Sequence, residues 1–311
     1  MEQDMKISAD HKCGLVALIG PPNAGKSTLL NEILGQKIAI VTPKPQTTRN
    51  QITGILSEPD AQVVFFDTPG IHRRKGKLNR ALLQTAWQAL ASAQLIVLVL
   101  DGHLYAEKPN SLDRDVKSLS SSLQESGLPL FIAVNKVDRL KDKKQLLPLL
   151  EQLSNVFPEA ELFPVSALAP HGLDVLLKRI KTVLPFGPPM FPEDQASTIS
   201  LRFMVSEIIR EKLFLSLQQE LPYGTAVEIE KWEEIPERNQ IQIHTLIYVA
   251  SKSHKGMVIG KSGANLKSIG TQARGEISEL LESKVHLEMW VKVRDNWTED
   301  PGFLRMLGLG E

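Results

Sequence analysis

Among 311 residues there is one cysteine, Cys13, so the chain has no internal disulfide to make, and a reducing cytoplasm is the expected compartment. It lacks any uncharged apolar run of the roughly 20 residues that a membrane-spanning helix needs. The first fourteen residues carry acids, His11 and Lys12 without an apolar stretch, and no secretory signal is expected. Net charge is absent too, with 36 Lys and Arg against 36 Asp and Glu, so bulk charge argues neither for nor against a nucleic-acid partner. No internal repeat is visible. What remains is an ordinary globular composition, 42% hydrophobic and 23% charged, in a chain long enough for two domains.

The most specific stretch is Gly20-Pro21-Pro22-Asn23-Ala24-Gly25-Lys26-Ser27. It fits G-x-x-x-x-G-K-[ST] and lies between the apolar run Leu15 to Ile19 and a helix-like segment from Ser27 to Leu34. Gly20 and Gly25 admit backbone torsions closed to other residues, so the N–H groups from Asn23 and Ala24 through Thr28 can converge on a polyphosphate at a helix N-terminus. Lys26 then reaches the β and γ phosphates, and Ser27 holds Mg²⁺.

From Gly14 to about Leu184 short apolar runs alternate with longer amphipathic ones. Strands are expected at 15–19, 51–57, 63–66, 95–100, 130–134 and 162–165, and helices at 27–34, 78–91, 112–123, 145–155 and 173–183. This alternation predicts an α/β domain with a mostly parallel sheet, whose ligands gather at the strands' carboxyl ends. Asp67-Thr68-Pro69-Gly70 stands at one such end: Asp67 can hold Mg²⁺ through water, and the flexible backbone of Gly70 can offer its N–H to a γ-phosphate. Asn135-Lys136-Val137-Asp138 stands at another. The Asp138 carboxylate suits the N1–H and exocyclic amine of guanine, a pair of donors adenine lacks; Asn135 fixes the loop, and the Lys136 stem lies over the ring. Ser166-Ala167-Leu168 follows the last strand and can meet the guanine carbonyl through backbone N–H groups. Between the first helix and the second strand, the proline-containing loop 41–49 offers a threonine hydroxyl as a second Mg²⁺ ligand, Thr48 first and Thr47 in reserve. Lys26, Thr48 and Gly70 are thus the candidate catalytic groups, all directed at the γ-phosphate or its cation.

As an ordered set these five stretches resemble the motifs of the translation-factor-related GTPases. The variants G-P-P-N-A-G-K-S-T, Q-T-T-R, D-T-P-G-I and N-K-V-D are most similar to the Era family of bacterial ribosome-assembly GTPases, and 184–189 and 191–195 resemble that family's interdomain linker. Ras-type relatives orient the attacking water with a glutamine beside the D-x-x-G glycine; Ile71 stands there instead, followed by His72, so slow intrinsic hydrolysis is expected. The resemblance also implies a K⁺ site at Asn23, where the ion would supply charge that an arginine finger supplies elsewhere.

The proline-rich stretch 185–192 ends the first domain, giving expected boundaries of 1–185 for the GTPase domain, 186–197 for the linker and 198–311 for the second domain. The second domain reads helix, strand, strand, helix, helix, strand, with its first helix at 199–218. Between the second strand and the next helix, Gly260-Lys261-Ser262-Gly263 resembles the G-x-x-G loop of a type II KH domain, behind which Ile259 borders an apolar groove for bases. Lys252, Lys255, Lys261, Lys267 and Arg274 surround this loop, with no acid between Val249 and Gly275. Residues 195–311 as a whole hold 14 Lys and Arg against 16 Asp and Glu, so the expected RNA contact is local. The tail from Arg294 to Gly308 is expected to dock as a short segment, with Phe303 and Leu304 as the alternative partner surface.

The expectation is a GTP- and GDP-binding enzyme that hydrolyses GTP, binds the 3′ end of 16S rRNA and serves 30S subunit assembly, the ribosome resting on resemblance alone. A monomer in the cytoplasm is expected. The alternative is a nucleotide-sensing adaptor at the inner face of the membrane.

Overall fold

The computed structural model describes residues 10–71, 76–169 and 171–309; His72 lies outside them. The chain divides into two compact units that do not follow chain order. One holds the described residues of 10–39, 48–71 and 82–198, and the other those of 40–47, 76–81 and 199–309.

The first unit is built on β1 (Lys12–Ile19), α1 (Lys26–Leu34), β2 (Ile52–Glu58), β3 (Ala61–Asp67), α2 (Lys77–Ser92), β4 (Leu95–Asp101), α3 (Gly102–Glu107), α4 (Asn110–Glu125), β5 (Leu130–Asn135), α5 (Leu146–Val156), β6 (Glu161–Pro164) and α6 (Leu173–Val183), although the first turn of α2 groups with the second unit. Its six strands run in the order β2-β3-β1-β4-β5-β6. Only β2 is antiparallel to its neighbour; the remaining pairs are parallel. Leu95 to Leu100 are each 0% exposed, as a parallel strand covered on both faces requires. Central β1 has neighbours β3 and β4 reached in opposite directions across the sheet, so the crevice for a ligand opens at its carboxyl end. The six-residue α3 was not foreseen: it is too short for helical periodicity and forms because Asp101 accepts the N–H of Leu104 at 2.9 Å as its N-cap. Residues 190–197 lie against this unit. Buried Gln62 accepts the N–H groups of Met190 and Phe191 at 2.7 and 3.0 Å, and Ile55 donates to the carbonyl of Ala196 at 2.8 Å.

The second unit contains α7 (Leu201–Ser216), β7 (Thr225–Ile235), β8 (Gln240–Val249), α8 (Lys252–Ile259), α9 (Ala264–Leu280), β9 (Lys284–Val293) and α10 (Pro301–Met306). Its sheet has the order β7-β8-β9, antiparallel then parallel. Alternation along β8 turns Ile243, Thr245, Ile247 and Val249 inward, where the apolar residues among them join Val205, Ile208 and Leu213 of α7 and Ile269, Ala273 and Ile277 of α9. The G-x-x-G loop joins α8 to α9 rather than a strand to a helix; α8 is eight residues long and places Lys252 and Lys255 on a helix ahead of it. Residues 40–47 pack here on α7, where Glu211 accepts the N–H of Val41 at 2.9 Å and the Arg210 guanidinium donates to the Thr47 carbonyl. The tail docks as expected. Trp297 is fully buried with its indole N–H on the Gly224 carbonyl at 3.0 Å, Phe303 and Leu304 are buried, and the Arg294 guanidinium lies 4.0 Å from the Phe303 ring centroid. No helix of the described residues is long and apolar enough to cross a membrane.

Candidate nucleotide site and RNA-binding loop

Residues 20–25 turn β1 into α1 through backbone torsions that select glycine. Gly20 has φ +151° and Gly25 φ +95°, and a Cβ on Gly20 would stand 2.2 Å from the Val99 carbonyl oxygen. Asn23, at φ +62°, is one of the few residue types that tolerate the left-handed region. Lys26 is 5% exposed, and its ammonium donates to the carbonyls of Gly20 and Pro21, both at 3.1 Å. Burial lowers its pKa to about 8, against the opposing pull of Asp67. The side chain is therefore held across the loop mouth with its charge poorly solvated, a state that an anion's arrival relieves.

At the start of α1, Ser27 Oγ lies 2.8 Å from Thr48 Oγ1 and donates to Asp67 Oδ2 at 2.5 Å; Thr48 reaches the same carboxylate oxygen at 3.3 Å. Thr47 turns away, donating to the Lys44 carbonyl at 2.8 Å. Asp67 is 0% exposed, and burial raises its carboxyl pKa despite Lys26, Ser27 and Thr48. Its Oδ1 is buried with no hydrogen-bond partner among the described residues. Two hydroxyls and a buried carboxylate with an unused oxygen form a hard, oxygen-only donor set, which fits Mg²⁺ completed by water and phosphate oxygens. Gly70 also permits close approach, since a Cβ there would meet Pro22 Cα at 2.7 Å. Ile71 donates its N–H to the Gly20 carbonyl at 3.1 Å, tying this loop to the phosphate loop.

The base corner forms at the ends of β5 and β6. Asn135, 2% exposed, donates to the Ala24 carbonyl at 2.9 Å and accepts the N–H groups of Lys136 at 2.8 Å and Ala167 at 3.1 Å, so one amide joins three loops. Lys136 has φ +67°, and its ammonium donates to the Asn23 carbonyl at 2.5 Å. Its Cε passes 3.8 Å from where a Cβ on Gly25 would stand, so the stem runs over the phosphate loop. Asp138 is exposed, with Oδ1 accepting from Ser166 Oγ at 2.6 Å; Ser166 and Ala167 are buried, and Leu168 is 68% exposed. Two side chains of this unit escaped the sequence reading, Asp101 in this corner and Asn31 in α1. Asp101 accepts from the Lys136 ammonium at 2.6 Å, and the Asn31 side chain accepts the N–H groups of Ile38 and Ala39 at 3.0 Å. Asp101 carried one available signal, an acid at a strand's carboxyl end.

In the second unit, Gly260, Ser262 and Gly263 have φ of +74°, +51° and +79°, a tight turn that delivers the chain into α9. A Cβ on Gly260 would meet Asn265 Cβ at 2.7 Å. Lys261 and Ser262 are exposed at the tip, and Lys252 and Lys267 are exposed on the flanking helices, with Lys255 half-buried. Ile259 is half-buried against the core.

Residues 15–136 match the model of the "50S ribosome-binding GTPase" family, and residues 220–298 match the KH domain model. GTPase Era of Nitratidesulfovibrio vulgaris is 60% identical over 302 residues, covering 97% of this chain and 98% of its own. The chain belongs to the Era GTPase family. GTPase Era of Pseudomonas aeruginosa is 44% identical over 306 residues, 98% of this chain and 97% of its own. Two solved Era structures, each 36% identical, share the whole architecture. One is an Aquifex aeolicus Era variant bound to GDP and AlF4⁻, with TM-score 0.87 over 96% of this chain and 100% of that one. The other is Era with MgGDPNP and nucleotides 1506–1542 of 16S ribosomal RNA, with TM-score 0.89 over 97% and 100%. An α/β P-loop GTPase domain followed by a KH domain is thus the fold of this Era-family chain.

Proposed function

We propose that this chain binds and hydrolyses Mg²⁺-GTP and uses its KH half to bind single-stranded RNA at the 3′ end of 16S rRNA during 30S subunit assembly. The observation that carries the reading is the meeting of Ser27, Thr48 and Asp67 around an unused buried carboxylate oxygen, beside a buried lysine poised for phosphate. Ser27 and Thr48 would ligate the cation directly and Asp67 would act through its waters, which supplies charge neutralisation at the phosphates. Lys26 would bridge the β and γ phosphates, the N–H groups of residues 23–28 would cradle them, and Gly70 would offer its N–H to the γ-phosphate. Asp138 would select guanine, with Asn135, Lys136, Ser166, Ala167 and Leu168 framing the base. A K⁺ ion at Asn23 would complete the transition-state charge, because the Ile71 side chain offers no polar atom.

The small subunit is preferred over the large one for a specific reason. The 50S description belongs to a model of residues 15–136, the nucleotide half, whereas likeness to the 16S complex extends over 97% of the chain. Lys252, Lys255, Ile259, Gly260, Lys261, Ser262, Gly263 and Lys267 would form the RNA contact. We place the functional boundaries at 1–185, 186–197 and 198–311, in a cytoplasmic monomer.

Sedimentation of the protein with purified 30S and 50S particles in GTP, GDP or no nucleotide tests the proposal. Association with 30S that depends on nucleotide is expected. Binding to neither particle, with GTP binding intact, would leave an adaptor GTPase as the better reading.

A further inference from the structure

Asp101 holds the Lys136 ammonium from the far side of the base corner, and no motif of the family set includes it. It ends β4, in register with Asn135 at the end of β5. Its carboxylate divides its work: Oδ1 accepts the N–H of Leu104 at 2.9 Å and caps α3, while Oδ2 accepts from Lys136 Nζ at 2.6 Å. The two side chains are only 17% and 19% exposed, so the pair is largely shielded from water and its geometry is fixed by two donors on one carboxylate. Lys136 spends a second donor on the Asn23 carbonyl. Asp101 therefore anchors one end of a brace that crosses from the base loop to the phosphate loop.

We infer that Asp101 is a positioning residue for guanine-nucleotide binding, acting through Lys136 to hold the base platform and the phosphate loop at a fixed separation. The inference rests on the reading of this corner as the guanine site. Because the brace joins the base loop to the phosphate loop, both of which GDP and GTP share in the proposed site, it serves GDP and GTP alike.

The capping role and the bracing role can be separated. Asparagine caps helices as well as aspartate, so Asp101→Asn keeps α3 while removing the charge that holds Lys136. Affinities for GDP and GTP by fluorescent-nucleotide titration, beside thermal unfolding of the nucleotide-free protein, read the two roles independently. The expected result is a loss of about tenfold for both nucleotides, with the unfolding midpoint unchanged. In the double variant with Lys136→Met, affinity should equal that of Lys136→Met alone within about twofold, because both remove one brace. Wild-type affinity in Asp101→Asn, a fall in affinity matched by a fall in the unfolding midpoint, or losses that multiply in the double variant would each overturn the inference. Failure of the wild type itself to bind guanine nucleotides would instead remove the guanine-site reading beneath it.

Discussion

The nucleotide corner and the G-x-x-G loop differ most in burial. Asp67 and Ser166 are 0% exposed, Asn135 2% and Lys26 5%, whereas Lys252, Lys261, Ser262 and Lys267 stand in solvent. Buried polar groups are costly unless partnered, so folding itself fixes where the donors and acceptors of these four side chains must point. Among the described residues the exception in this set is Asp67 Oδ1, which is left for a ligand shell. The loop has no such constraint. Two glycines and a left-handed Ser262 set its shape, and its lysines lose hydration only when a ligand arrives. One region is organised before binding; the other brings local charge and close backbone approach.

The largest test of this contrast is Lys26→Ala. Removing a buried cation aimed at the phosphates should lower kcat/KM for GTP by about 10³-fold or more. A loss below about tenfold, as expected of an exposed lysine, would break the comparison. The same lysine gives a pH signature. Its pKa in the free protein is lowered to about 8, and the phosphates favour the charged form, so binding above that pH takes up a proton. GTP affinity should fall by up to tenfold per pH unit above 8 and stay flat below it. Calorimetry in buffers of differing ionisation heat measures the proton uptake, and affinity constant from pH 7 to 9.5 would exclude Lys26 as its source.

Next in size is Asp138→Asn. Charged hydrogen bonds of this kind contribute about 1.5–3 kcal/mol, so GTP affinity should drop about 10- to 100-fold, with preference moving toward XTP because the new amide donates to its carbonyl. Competition among GTP, XTP, ATP and ITP measures it, and unchanged preference for GTP would sink the guanine assignment.

What could be read from the sequence follows the same divide. Strands and motif residues of the first unit were legible because a buried parallel sheet writes continuous apolar runs, with chemistry at their ends: 95–100 and 130–134 against observed β4 and β5. The G-x-x-G and the inward face of β8 were legible from glycine and from period-two alternation. Asp101 and Asn31 were not, since their partners are a lysine 35 positions away in one case and backbone N–H groups in the other, neither of which leaves a local pattern. Helix α3 was too short to show a period; two helices were legible after the second strand, but the bounds of α8 were not, because Gly256 and a mixed-polarity face blur its pattern. The grouping of 40–47 and 76–81 with the second unit was equally invisible, because chain order carries no record of which residues pack together.

Placing Asp at both Lys261 and Ser262 is a smaller perturbation because both sites are exposed. Reversing one charge and adding another where a phosphate passes, at near-water dielectric and with salt screening, should weaken binding to an oligonucleotide of the 16S 3′ end by about thirtyfold. GTP binding, measured beside it, should not change. Equal RNA binding by the double variant would reduce the G-x-x-G loop to a helix entrance and leave the second region without its assigned chemistry.

The smallest effect concerns what the buried corner still lacks. The Ile71 side chain has no polar atom to orient water, so help with the transition state must come from elsewhere. Asn23 stands in the phosphate loop, exposed, with its carbonyl accepting from Lys136. If K⁺ docks at Asn23, turnover in KCl should exceed that in NaCl at equal ionic strength by about tenfold, less than a buried oxyanion donor provides because the site is open to water. Asn23→Ala removes the side chain but also places alanine at φ +62°, a left-handed torsion that costs about 1–2 kcal/mol. Asn23→Gly removes the same amide without that strain. Both variants should lose the KCl advantage, while Asn23→Gly keeps wild-type GDP affinity. Equal wild-type rates in the two salts would assign the missing charge to a protein or RNA partner, and a KCl advantage that survives in Asn23→Gly would move the ion away from this side chain.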